Sequence, residues 1–177
     1  MKKIVLFSCL FMSIISYAQV NTERESPEFP QDIEKKHELK INALTLLVAK
    51  WIDVSYETLI NQESSFGVAA TLNTDTSYTD LKYSLTPYYR RYFSNKLARG
   101  FFLEGFGTLF SAKDTDFLGY GSQEFKTGVA MGISVGGKFV SKSGFAAELL
   151  LGLGRNFSDS NYNEAFGRVG ISFGYRF

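Results

Sequence analysis

Val169-Gly170-Ile171-Ser172-Phe173-Gly174-Tyr175-Arg176-Phe177 decides how this chain folds. Large apolar side chains stand at every odd position, and Gly, Ser or Arg at every even one. A period of two belongs to a strand, because successive side chains leave opposite faces of the pleat. One face therefore carries Val169, Ile171, Phe173, Tyr175 and Phe177. The other carries Gly170, Ser172, Gly174 and Arg176, and Arg168 when the strand is traced back to Ala165.

The same alternation recurs upstream. Strands are expected over Glu38 to Val48, Ile52 to Ile60, Phe66 to Thr74, Leu81 to Phe93, Phe101 to Ser111, Phe125 to Phe139 and Gly144 to Arg155. In the fourth, Leu81, Tyr83, Leu85, Pro87, Tyr89 and Phe93 oppose Lys82, Ser84, Thr86, Tyr88, Arg90 and Tyr92. Arg91 interrupts the apolar side near a strand end, where a long side chain can snorkel. In the seventh, Phe145, Ala147, Leu149, Leu151 and Leu153 oppose Glu148, Gly152 and Gly154. Strands of about ten residues, apolar on one face, are what a tilted barrel needs to cross a bilayer's hydrocarbon core.

Alternation alone does not say which face is inside. The composition of the polar face does. It holds four carboxylates, Asp53, Glu57, Glu104 and Glu148, and five cations, Lys40, Lys82, Arg90, Arg168 and Arg176. Most other positions there are Gly, Ala, Ser, Thr or Asn. Small residues suit the tight interior of an eight-stranded barrel and make a poor soluble surface, which should be crowded with charge. The expectation is an all-β, eight-stranded, antiparallel up-and-down transmembrane β-barrel over residues 38–177, with its apolar face toward lipid. With the N-terminus in the periplasm, the turns at Asn61 to Ser65, Ser94 to Arg99 and Val140 to Ser143 are periplasmic. The longer connections at Asp75 to Asp80, Ala112 to Glu124 and Asn156 to Glu164 are external, and the Ala49 to Trp51 connection is a short exception. Aromatics gather at two rims: Phe93, Phe101, Phe139, Phe145, Tyr175 and Phe177 on one, Trp51, Tyr78, Phe110, Phe117, Phe157 and Tyr162 on the other.

Residues 1–18 read as a secretory signal: Lys2 and Lys3, an apolar run from Ile4 to Ile15, then small residues at Ser16 and Ala18. Cleavage there removes 18 of 177 residues and leaves 159, one domain's worth. Gln19 to His37, polar and containing Pro27 and Pro30, reads as a flexible periplasmic arm. The single cysteine, Cys9, falls inside the signal, so the mature chain has no thiol for a disulfide. The chain has 19 basic and 18 acidic residues; losing Lys2 and Lys3 leaves 17 against 18. With no basic tract, nucleic acid is not an expected partner. After Ala18 no apolar stretch approaches a membrane helix, so insertion has to be as a barrel, where every backbone polar group finds a partner.

The ending Val169 to Phe177 resembles the C-terminal strand signal of bacterial outer-membrane proteins. The resemblance implies that Val169, Ile171, Phe173, Tyr175 and Phe177 are read by the barrel-assembly machinery. Leu39-Lys40-Ile41-Asn42, Tyr56-Glu57, Pro87-Tyr88-Tyr89-Arg90-Arg91-Tyr92-Phe93, Gly152-Leu153-Gly154 and Gly174-Tyr175-Arg176-Phe177 occur in that order. Together they make residues 38–177 resemble a family of small Bacteroidota outer-membrane barrels known as a domain of unknown function. The chain departs at Thr58, where that pattern often has Arg. The resemblance implies a small barrel in the cell outer membrane and brings no activity.

The inward charges are the candidate site. Strand direction puts Lys40, Glu57, Arg90, Glu104, Glu148 and Arg176 in the periplasmic half of the lumen. So narrow a barrel leaves room for side chains and little for water, so a paired network that plugs the lumen is expected over an ion path. No enzyme is expected. The lone histidine, His37, precedes the barrel, so a nucleophile there has no strand-borne base. No cofactor or metal is expected, as His and Cys clusters are absent, and Ala130 to Gly137 reads as a strand rather than a nucleotide loop. The loop acids Asp75, Asp80, Asp114, Asp116, Glu124, Asp159 and Glu164, against Lys113, are ordinary solvated loop residues or bridge cations to lipopolysaccharide. The leading expectation is a monomeric, non-enzymatic outer-membrane protein, structural or adhesive through its external loops, in contact with lipid and lipopolysaccharide. A narrow pore for small solutes comes second, and a soluble periplasmic lipid-binding barrel with inverted faces third.

Overall fold

The computed structural model describes residues 35–74, 81–94, 96–115, 121–158 and 165–177. The expected signal and nearly all of the expected arm lie outside these residues. Among the described residues eight strands and one short helix follow in order: β1 (His37–Asn42), α1 (Ala43–Ala49), β2 (Trp51–Leu59), β3 (Ser64–Asn73), β4 (Leu81–Tyr92), β5 (Gly100–Thr115), β6 (Gly121–Val140), β7 (Phe145–Asn156) and β8 (Ala165–Arg176). Each strand pairs antiparallel with the next, and β8 returns to β1 to close the barrel. The seam is fastened by the terminal residue: Phe177 N donates to His37 O at 2.8 Å, and His37 N donates to Phe177 O at 3.1 Å. Closure leaves no sheet edge along this stretch.

The side chains divide as the alternation requires. Leu149, Ile133 and Leu153 are 61%, 63% and 70% exposed, whereas Glu57, Glu104 and Arg176 are 0% exposed. Charge is inside and hydrocarbon outside, the reverse of a water-soluble barrel. The terminal rim aromatics Phe93, Phe101, Phe139, Phe145, Tyr175 and Phe177 all face out.

Three expectations need correction. The first strand stops at Asn42 instead of continuing to Val48. Ala43 to Ala49 is α1 because the stretch loses its alternation at Leu46-Leu47-Val48 and is rich in helix formers, and because Asn42 caps it, accepting from Thr45 N at 3.4 Å. Lys50 ends the helix in the left-handed region, φ 56°, so the expected bare connection from Ala49 to Trp51 is a helix end. Second, β5 and β6 run farther than expected, pairing out to Thr115↔Gly121 across an irregularity at Lys113/Asp114. Third, Phe110, 4% exposed, and Trp51, which lines the lumen cavity, belong to the interior rather than to the outer rim. Tyr78, Phe117 and Tyr162 of that rim lie outside the described residues.

Phe110 reveals how the interior is filled. Phe102, Phe106 and Phe110 point inward from β5, and each stands directly opposite a glycine of β6: Gly136, Gly132 and Gly128. A Cβ on any of the three glycines would collide with the facing ring. The glycines make room for an aromatic column in a lumen too narrow for two large side chains abreast.

Candidate functional site: a buried charge network closing the lumen

Glu57 of β2 is the hub. Its Oε2 accepts from Lys40 Nζ at 2.5 Å and Arg90 Nη1 at 2.9 Å. Its Oε1 accepts from Ser65 Oγ at 2.6 Å, Tyr92 OH at 2.7 Å and Lys138 Nζ at 2.7 Å. Glu148 of β7 takes a two-pronged contact from Arg90, Nη1 at 2.7 Å and Nη2 at 2.8 Å, and accepts from Lys40 Nζ at 2.7 Å. Glu104 of β5 accepts from Arg90 Nε at 2.7 Å, Ser134 Oγ at 3.0 Å and Arg168 Nη1 at 2.6 Å. Arg90 thus touches three glutamates on three strands, with the Tyr88 and Phe102 rings each centred 4.4 Å from its guanidinium carbon.

Toward the chain termini a second layer continues the network. Glu38 accepts from Lys138 Nζ at 2.8 Å and from Arg176 Nε at 2.8 Å. Arg176 also donates to the carbonyls of Leu97 and Ala98, at 3.1 and 3.0 Å. Those carbonyls lie in the β4–β5 turn, where Ala98 is completely buried against Leu59, Tyr92 and Phe102. The turn folds inward and caps the terminal mouth. Buried charges are tolerable when each is paired and its remaining hydrogen-bonding capacity is used, and this arrangement meets that condition on every glutamate of the network.

Of the expected network, Lys40, Glu57, Arg90, Glu104, Glu148, Arg168 and Arg176 come together. Lys82 does not: it is exposed at the far rim, its ammonium 5.2 Å from the Phe125 ring centre. The register of β4 against β5 shifts between Leu81 and Tyr83, so the alternation that would turn Lys82 inward breaks there. Asp53 stays inside but apart from the network, accepting from Asn42 Nδ2 at 3.0 Å. Glu38 and Lys138 are full members that the expectation omitted. Lys138 stood on the polar face of its strand, and Glu38 at the first position of period two, so both carried the signal. The outward Arg91 pairs with Glu63 at 2.5 Å, both about half exposed.

Among the described residues no group of three His, Cys, Asp or Glu side chains is placed to hold a metal ion. His37, expected in the arm before the barrel, is instead the first residue of β1, because its backbone pairs with β2 and with Phe177; it sits at the terminal rim with Nδ1 2.8 Å from Tyr56 OH. No helix among the described residues is long and apolar enough to cross a membrane. The loop acids Asp75, Asp80, Asp116, Asp159 and Glu164 lie outside the described residues, as do the side chains of Asp114 and Glu124. No protein-family model, curated protein or solved structure matches the chain.

Above the network, in the half of the lumen away from the termini, lies a cavity of about 240 Å³. Arg90 and Glu148 form its floor. Asp53, Thr71, Ser84 and Arg168 give it polar walls, and Trp51 and Phe166 aromatic ones. The interior is therefore a lower layer filled by paired side chains and a roomier upper one.

Proposed function

We propose that this protein is an integral, monomeric barrel of the bacterial outer membrane that performs no chemistry, with both termini in the periplasm and a lumen closed by its charge network. It acts as a structural or adhesive element through its external loops. The observation that carries the location is the pairing of an outward hydrocarbon band with buried ionic side chains. Water would penalise the first and lipid would penalise the reverse arrangement. The signal-like start and the alternating end on Phe177 support the same reading, as does the order of motifs resembling the small Bacteroidota barrels. Outer-membrane lipid and lipopolysaccharide are then its surroundings, and the barrel-assembly machinery its partner during insertion.

A narrow pore is the competing role. The network argues against it, since an ion passing the Glu57–Arg90 layer would have to break several charge-assisted hydrogen bonds in confinement. Two measurements test the proposal. The protein should leave membranes only with detergent; release in native form by alkaline or high-salt washing overturns the location. Reconstituted into planar bilayers it should give no steady unitary currents; reproducible steps overturn the plug.

A further inference from the structure

The ladder of strands that makes the barrel wall has a gap in its hydrogen bonding. The β1–β8 ladder ends at Asn42↔Ser172, yet β8 continues to Ala165, paired there only with β7. On the other side β1 leaves β2 at Ile41↔Val54, while β2 begins at Trp51. The missing half of β1 is replaced by α1, which packs against both β8 and β2. A helix directs its backbone groups along its own axis and cannot extend either ladder. The side chain of Asn42 stands in for one more strand residue, donating to Val169 O at 3.3 Å and accepting from Ile171 N at 3.2 Å. Among the described residues no ladder joins β8 to a second strand above that point.

This gap lies between the upper cavity and an apolar furrow on the outer wall. The cavity is bordered by Thr45 of α1 and by Gly167, Val169 and Gly170 of β8. The furrow, about 290 Å³, is lined by Leu44 of α1 with Val135, Leu149, Leu151 and Ile171, and shares Leu150, Val169 and Gly170 with the cavity. It continues along the wall past Gly137 and Ala147, which floor it, to Phe139 and Phe173. The two strands that flank the gap present opposite charges to the cavity, Asp53 from β2 and Arg168 from β8. Thr71 and Ser84 add hydroxyls.

We infer that the gap between α1 and β8 takes a single-chain zwitterionic lipid from the bilayer, its head group in the cavity between Asp53 and Arg168 and its acyl chain in the furrow outside. A polar compartment and an apolar track that share lining residues across this gap match an amphiphile, and neither a free ion nor a hydrocarbon uses both parts. Asp53 meets the ammonium, Arg168 the phosphate, and the hydroxyls the glycerol oxygens. The bound head group also supplies polar partners to the edge of β8, which hydrocarbon cannot. This inference rests on the membrane location proposed above and adds a ligand to it.

Trp51 is the chain's one tryptophan and lines the cavity, so it reports occupancy. Protein extracted from membranes in detergent is titrated with lysophosphatidylethanolamine, following Trp51 emission and the mass of the intact complex. The expected result is a saturable emission change and one retained lipid per protein. In Gly167→Phe, where an added Cβ meets nothing within 4 Å, the ring should obstruct the gap, leave heat-modifiable gel mobility intact and weaken binding at least about tenfold, which is about 1.4 kcal/mol. Asp53→Asn should weaken it similarly. Absence of saturation in wild type, or undiminished binding by Gly167→Phe, overturns the inference. An equal response to glycerophosphoethanolamine assigns the cavity to a water-soluble solute instead and overturns the lipid, and equal binding of lysophosphatidylglycerol overturns the zwitterion. Protein that needs no detergent refutes the membrane location itself, a different failure from detergent-extracted protein that binds nothing.

Discussion

Glu57→Gln is the sharpest probe of the charge network. The substitution keeps the side chain's shape and removes one negative charge from a site with no exposed surface. In the native protein that carboxylate answers three cations at 2.5 to 2.9 Å and two hydroxyls at 2.6 and 2.7 Å. A glutamine still accepts from Ser65 or Tyr92 through its carbonyl, but its amide group confronts an ammonium or a guanidinium. Lys40, Arg90 and Lys138 are left to share Glu38, Glu104 and Glu148. Breaking a buried ionic cluster on one side costs about 3–5 kcal/mol. With a urea dependence of about 2 kcal/mol per molar, the unfolding midpoint in detergent should fall by about 1.5–2.5 M. Glu63→Gln is the matched control: it removes a glutamate at similar distance from an arginine, but on the surface, where such a pair contributes about 1 kcal/mol at most. Lys138→Met in the Glu57→Gln background should cost less than the sum of the two single changes, by about 0.5–3 kcal/mol, because it removes a cation that has lost one of its two close carboxylates and keeps only Glu38. Equal midpoints for Glu57→Gln and Glu63→Gln would refute the argument that the interior ions act as one cooperative plug.

Further outcomes follow from the seam, the gap and the packing. Asn42→Ala removes the amide that bonds β8 and Asp53 and caps α1, so urea unfolding should show a loss of about 1–3 kcal/mol. Gly174→Val puts a Cβ into the Leu39 carbonyl and the Lys40 side chain at the β1–β8 seam; overpacking of about 1–3 kcal/mol or more should reduce the heat-modifiable folded band. Deleting Phe177 removes both backbone bonds to His37, about 1 kcal/mol each, and should lower the membrane-assembled fraction in cells relative to Phe177→Tyr.

The sequence by itself determined the inside and the outside. Period two assigns each strand residue to a face, and the small and ionic makeup of one face leaves only one interior. Glu57, Arg90, Glu104 and Glu148 could therefore be placed together without coordinates, since closure of the barrel brings inward positions on separate strands into one narrow space. Tertiary structure alone decided what departs from that period. Lys82 leaves the lumen because a register shift beside it is a property of two strands together, invisible in either. Phe110 keeps the period, on the same face as Glu104, but its ring fits the lumen only because β6 sets Gly128 across from it. The run Ala43 to Ala49 carried a warning in its broken alternation and its capping Asn42, but nothing local says that a helix will take the place of half a strand in the wall. That choice depends on how far β8 and β2 extend past the end of β1. Partner identity follows the same division: a carboxylate in an alternating strand must be inward, but which ammonium or guanidinium answers it depends on stagger across strands distant in sequence.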